Sequence, residues 1–173
     1  LEPGADRRYE SAYFWEERNE WFSDLWELPG EAQQLDDGLR DRSGAFPLAI
    51  PNRLVSMFSV RGDTVLDPFL GTGTTTLAAM VAGRDSAGIE RDAELLAALD
   101  DRVDYVGERS RSIARDRLDT HREWVKKRRA DGNEPGYEAE YYDFAVNTKQ
   151  ERRIRLYPVD GVERVDDGYR LTH

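Results

Sequence analysis

The stretch VLDPFLGTGTTTLAAM, residues 65–80, sets two glycines and four threonines between a short apolar run and an alanine-rich one. Its first half, Thr64 to Asp67, reads as a buried strand. Its second half, Thr74 to Val81, reads as a helix closed by Gly83 just past its end. Downstream, residues 86–90 form a second short strand, and Asp92 caps a second helix that runs through Leu95, Leu96, Leu99 and Val103. Strand, helix, strand, helix at this spacing predicts a βαβ unit with a parallel sheet.

In that frame the glycine loop leaves the C-terminal end of the first strand and enters a helix, which is where open α/β sheets place their ligands. Three ligands compete for it. A nucleoside triphosphate needs G-x-x-x-x-G-K-[ST], and no lysine follows these glycines. A dinucleotide wants G-x-G-x-x-G, but the third position is Thr76, where glycine would allow close packing around a pyrophosphate. S-adenosylmethionine has an adenosine but no phosphate, so it needs neither lysine nor pyrophosphate nest. An acid at the end of the second strand then grips the ribose hydroxyls, and Glu90 stands there.

Working outward, SGAFPLAIPNRLVSMFSVRGD carries Ile50, Leu54, Val55, Phe58 and Val60 as one helical face, with Pro51 tolerated in the first turn. Further upstream, YESAYFWEERNEWFSDLW places Phe14, Trp15, Phe22, Leu25 and Trp26 at loose helical spacing. DLWELPG after it reads as a short strand ending in a turn. Residues 109–129 form a charged helix that stops near Gly132 and Pro135. The tail from Arg152 alternates apolar and polar as a hairpin with its turn at Asp160-Gly161. The 173 residues suit one main domain with appendages. We divide them into an aromatic-rich segment (1–43), a cofactor-binding core (44–108) and a helical and hairpin extension (109–173).

Composition narrows the classes. There is no cysteine, which removes disulfides, zinc-thiolate sites and thiol nucleophiles. No apolar run approaches the roughly 20 residues of a membrane span, and the N-terminus lacks a signal peptide's regions, so a cytoplasmic setting with no membrane partner is expected. His121 and His173 have no partners at metal-ligand spacing, so no metal is expected. The net charge of −10 argues against a strongly basic nucleic-acid binder. Yet lysine occurs only at 126, 127 and 149, while acids are spread throughout, the style of a protein from a salt-loving organism. At molar salt the Debye length is about 3 Å, so the net charge does not forbid DNA as a partner. The basic run HREWVKKRR reads first as a solvated helix face and second as a phosphate contact.

The LDPFLGTGTT motif resembles the cofactor motif of the DNA amino-methyltransferases, which modify exocyclic nitrogens of adenine or cytosine. SGAFPLAIPNRLV resembles the segment that precedes the cofactor loop in one permuted class of that family. The likeness spans residues 24–106, and the acidic, arginine-rich remainder resembles haloarchaeal members. The resemblance implies a Rossmann-like α/β methyltransferase fold that binds S-adenosyl-L-methionine and acts on DNA. It places Asp67 near the methionine ammonium, Phe69 beside the cofactor, Gly71 and Gly73 in the close-approach turn, and Glu90 on the ribose. Phe46 and Pro47 would wall the methionine end. Ser43, Gly44, Ala45, Pro68, Leu70, Thr72, Thr74, Thr75 and Arg91 complete the implied cofactor site.

The family's chemistry is carried by an Asp/Asn/Ser-Pro-Pro-aromatic motif that holds the flipped base's amino group. Prolines here stand at 3, 29, 47, 51, 68, 135 and 158, and none adjoin, so the chain has no such motif and no catalytic residue is assigned. Either the catalytic strand precedes Leu1 or catalysis is lost, and the non-methionine start favours the former. On either view the sheet is expected to be incomplete, its exposed edge covered by a missing upstream segment or a second chain.

Overall fold

The computed structural model describes residues 4–28 and 46–173. Two short helices open it, α1 (Asp6–Glu10) and α2 (Trp15–Trp21), and α3 (Ala49–Phe58) follows. The central unit is β1 (Thr64–Asp67), α4 (Thr74–Val81), β2 (Asp85–Gly88) and α5 (Ala93–Val103), and then the long α6 (Val106–Ala130). After it come β3 (Tyr137–Glu138), β4 (Ala145–Val146), a 3-10 turn (Glu151–Arg153), β5 (Gly161–Val165) and β6 (Gly168–Thr172).

The expected βαβ unit is present. β1 and β2 pair in parallel, with Thr64 opposite Asp85 and Asp67 opposite Gly88, so both strands deliver their C-terminal ends to one place. α4 begins directly after Gly73, and Gly83 follows its C-cap with φ +68°. Asp92 caps α5 through its carboxylate, which accepts from the Glu94 N–H at 3.0 Å. Pro51 is the third residue of α3, inside the turn where its missing N–H leaves no gap.

Two apolar clusters hold the chain. The first joins Leu48, Leu70, Leu77, Met80, Leu99, Val103, Val106 and Val159, with Tyr169 and Leu171 of β6 packed on it. The second gathers Phe14, Phe144, Val146 and Ile154, residues from both ends of the sequence.

Three expectations require correction. The strand read at DLWELPG is not formed over residues 24–28, and its last two residues lie outside the described ones. The burial expected of β1 is incomplete: Leu66 is 67% exposed, and among the described residues β1 has β2 as its one strand neighbour. The terminal hairpin exists, but it turns at Asp166-Asp167, between Val165 and Gly168, and Gly161 instead opens β5. There a Cβ would lie 2.9 Å from Thr172 Oγ1, so this glycine serves cross-strand approach and not a turn.

Candidate functional site

At the C-terminal ends of β1 and β2, backbone hydrogen bonds hook the glycine loop to the second strand. Ile89 N–H donates to Asp67 O and Leu70 N–H to Ile89 O, each at 3.0 Å. Asp67 then shapes its own turn, with Oδ1 accepting from the Phe69 N–H at 3.0 Å. Glu90 closes the arrangement. Its Oε2 accepts from Gly71 N–H at 2.9 Å, and its Oε1 accepts from Arg91 and Asp92 N–H at 2.8 and 2.9 Å. The Asp92 and Gly71 N–H groups hold the Glu90 carboxyl below its ordinary range; burial opposes them, and the Arg91 N–H adds a smaller contribution.

Two glycines make this packing possible, and a third shapes the turn. Gly73 sits at φ +76°, and a Cβ there would lie 2.5 Å from Leu99 Cδ1, so both backbone conformation and close helix packing require glycine. Gly71 has φ +55° but faces open space, its nearest prospective contact being Phe69 O at 4.0 Å. Gly88, which the sequence reading did not single out, lies under Leu70: a Cβ there would come within 2.6 Å of Leu70 Cδ1.

The threonines divide in the same way. Thr72, Thr74 and Thr76 are buried, while Thr75 is half-buried. Behind the loop stands Arg102 of α5, also absent from the sequence reading. Its Nη1 donates to Thr72 O at 2.8 Å, Thr72 Oγ1 at 2.9 Å and Thr74 Oγ1 at 3.0 Å. The loop is thus clamped from the protein side by a guanidinium and from the strand side by a carboxylate. The sequence signal is a positively charged residue 28 to 30 positions after the threonines, but helix position alone does not show which residue it reaches.

Asp67, Phe69, Gly71 and Glu90 therefore meet on one shelf, joined through these bonds. Phe69 is 87% exposed and Phe46 41% exposed, so neither is a plain core residue. Pro68 and Arg91 are exposed, Pro47 is half-buried, and Leu70 belongs to the core beneath. Ser43, Gly44 and Ala45 lie outside the described residues. The larger hollow of about 950 Å³ lies elsewhere, between β2 and the β5–β6 hairpin, and shares only Leu70 with the loop. Among the described residues no group of His, Cys, Asp and Glu is arranged to hold a metal ion.

A carboxylate offers about four acceptor positions, and three are spent on N–H groups. One acceptor position of the Glu90 carboxylate is left over beyond these three bonds. A second further donor would have to replace one of these N–H groups.

Comparison with known proteins gives the following. A family model described as DNA methylase, of the N6/N4 methyltransferase type, matches residues 3–100. The type II methyltransferase M.MthZI of Methanothermobacter thermautotrophicus is 45% identical over 152 residues, 87% of this chain and 41% of that protein. M.MjaI of Methanocaldococcus jannaschii is 47% identical over 103 residues, 60% of this chain and 34% of that protein. The chain thus spans about two-fifths or less of the length of these curated relatives. Among solved structures, TTHA0409 of Thermus thermophilus, assigned as a DNA modification methylase and crystallised with S-adenosyl-L-methionine, is 36% identical with a TM-score of 0.49. That match covers 59% of this chain and 37% of the other.

Proposed function

This chain belongs to the N6/N4 DNA methylase family, and from that premise we propose that residues 44–108 bind S-adenosylmethionine for methyl transfer to an exocyclic amino group of adenine or cytosine in DNA. The observation that carries the reading is the convergence of Gly71, Arg91 and Asp92 N–H groups on Glu90 at the mouth of a loop that offers no phosphate-binding lysine. When bound, the cofactor supplies an electrophilic methyl on a sulfonium. Transfer to the base nitrogen would leave the electron pair of the breaking carbon–sulfur bond on sulfur and release the nitrogen's proton to water.

This chain's own residues do the holding. Glu90 takes a ribose hydroxyl at its remaining acceptor position, and Asp67 sets its second carboxylate oxygen toward the methionine ammonium. Gly71 leaves open the space a side chain would fill. Phe69, Phe46 and Pro47 supply apolar walls. Thr72, Gly73, Thr74 and Thr75 form the helix entrance, with Pro68, Leu70 and Arg91 flanking.

We place the chain in the permuted class, where the cofactor motif follows the catalytic one, and in a high-salt cell. Under this reading the base-holding Pro-Pro-aromatic segment comes from the remaining length of the methyltransferase, which also covers the exposed Leu66 face of β1. The absence of adjoining prolines favours a second reading, a non-catalytic methyltransferase-fold subunit that binds DNA or a partner.

Calorimetric titration of the full-length protein with S-adenosylmethionine tests the first reading. Binding that Asp67→Ala abolishes supports it, and no binding by folded protein removes it. Transfer of labelled methyl to DNA, but not to RNA, separates the enzyme from the subunit and fixes the substrate class.

A further inference from the structure

At the end of α4 remote from the glycine loop, the described residues enclose a cavity of about 50 Å³ between α4, α6 and the segment that leads into the hairpin. Its wall carries four guanidinium groups, those of Arg61, Arg84, Arg117 and Arg155, and one carboxylate, Glu10. Arg117 is matched, donating to Glu17 through Nε at 2.5 Å and Nη2 at 2.8 Å. Glu10 is itself occupied by a hydrogen bond with the Tyr157 hydroxyl.

Among the described residues, the other three arginines have no carboxylate at ion-pair distance. Arg84 donates to neutral oxygens: Ser59 Oγ at 3.0 Å, Ser59 O at 2.9 Å and Ala82 O. The Arg61 guanidinium lies 3.6 Å from the Tyr157 ring centroid, and that of Arg155 lies 4.9 Å from the same ring. A ring face attracts a cation without taking up its directional N–H donors. Both forks therefore keep hydrogen-bonding capacity unspent.

Burial holds Arg84 down at about 10, and the neighbouring Arg117, Arg61 and Arg7 charges add to the fall, offset in part by Asp63. Capping of the α4 C-terminus accounts for Arg84 alone, since Ala82 O is the last-turn carbonyl it satisfies. It does not account for Arg61 and Arg155. In a chain of net charge −10, three guanidiniums gathered around one cavity without a paired carboxylate among the described residues are a local excess that an anion would relieve.

We propose that this cavity binds a small oxyanion of phosphate or sulfate size, held by Arg61, Arg84 and Arg155. Asn52 and Ser56 on the same wall supply neutral donors. The volume suits one such ion, either free or as a single phosphate reaching in from a longer chain. Arg155 is exposed and marks the entrance. The eight residues of α4 separate the cavity from Gly73, about 12 Å along the helix, so the assignment stands apart from the methyl-transfer reading.

Thermal unfolding of the full-length protein in phosphate or sulfate, against chloride at equal ionic strength, tests it. The expected result is a saturable rise in Tm of about 2–8 °C with the dianions. Equilibrium dialysis with labelled inorganic phosphate gives the affinity independently of stability. Arg155→Gln and Arg61→Gln should each weaken it about tenfold or more. Identical melting in phosphate and chloride, no retained label on the unsubstituted protein, or undiminished phosphate binding in both variants overturns the proposal. Displacement of the label by a DNA duplex identifies a backbone phosphate as the source, and no displacement identifies the free ion.

Discussion

Around the glycine loop the chain is shaped by backbone N–H groups from neighbouring residues converging on one carboxylate, whereas around Phe14 it is shaped by side chains that meet across more than a hundred positions. Each donor to Glu90 lies within 19 residues of it. In the Phe14 cluster, Arg117 reaches Glu17, His121 reaches Glu16, and Trp15 N–H reaches Glu151, which follows it by 136 positions. The contrast separates two kinds of stability. Local wiring keeps a loop in shape while leaving it open to a ligand, and distant wiring closes the ends of the chain on each other.

The largest test of that separation is Phe14→Ala. Phe14 is fully buried, stacked on His121 at 4.2 Å between centroids and edge-on to Phe144 at 5.8 Å. Truncation should cost about 3–5 kcal/mol in urea denaturation. S-adenosylmethionine affinity of the protein that remains folded should stay within about twofold, because no residue of the loop belongs to this cluster. A parallel collapse of cofactor affinity would show the two regions to be one cooperative unit.

Gly73→Ala probes the other region and comes next in size. The substitution forces an L residue to φ +76° and drives its Cβ into Leu99 at 2.5 Å. Strain and overpacking together should destabilise by about 2–4 kcal/mol. Unlike Phe14→Ala, it should also remove measurable cofactor binding. Calorimetry on the folded fraction checks this.

The same contrast explains what the sequence discloses. The β1–α4–β2 unit is legible because its signals are contiguous: an apolar run, glycines at fixed offsets, then an acid. Asp92 as a cap is legible for the same reason. Arg102, Gly88 and the ion pairs of Glu16 and Glu17 are not, since each acts on a partner selected by folding and not by spacing. His121 shows this most clearly. Within HREWVKKRR it reads as part of a solvated face, yet it is fully buried, while Arg122 and Arg129 of the same run pair with Asp119 and Glu134. The hairpin misleads differently, because Asp160-Gly161 and Asp167-Gly168 are equivalent as turn signals and cross-strand packing against Thr172 decides between them.

Arg102→Met is a smaller perturbation of the loop. It keeps the apolar stem but removes three hydrogen bonds to Thr72 and Thr74, leaving both hydroxyls buried. Cofactor affinity should fall about tenfold, with hydrogen-exchange protection lost at Gly73 and Thr74 and retained in α6. Arg102→Lys, which supplies one charge without the planar fork, should recover part of it. Loss of protection throughout α6 would mean that Arg102 supports the fold and not the loop.

The smallest effect is a difference in pH response between the two regions. His121 Nδ1 lies 2.7 Å from Glu16 Oε1 and Nε2 lies 2.9 Å from Ala145 O, two acceptors that together require both ring nitrogens protonated. Burial opposes the charge, but the Glu16 hydrogen bond and charge, aided by the Ala145 carbonyl and Glu151, raise His121 above its ordinary 6.5. A group raised on folding contributes stability that is full below its unfolded pKa and is lost as pH rises through the folded one. Denaturation of the Phe14 cluster should therefore ease above neutrality, with a slope of at most about 1.4 kcal/mol per pH unit. Deprotonation also leaves Glu16 worse off, because its Oε2 is already buried without a partner among the described residues. Glu90 has the opposite sign: its carboxyl is lowered from 4.5, so its contribution is present above that value and lost as pH falls through the folded one. Amide exchange at Gly71 should accelerate in acid while the cluster holds, and exchange around Val125 should accelerate in alkali while the loop holds. His121→Gln should flatten the alkaline response alone. If it also moves the acid response at Gly71, the carboxylate latch and the buried imidazole are coupled, and the division between local and distant wiring fails.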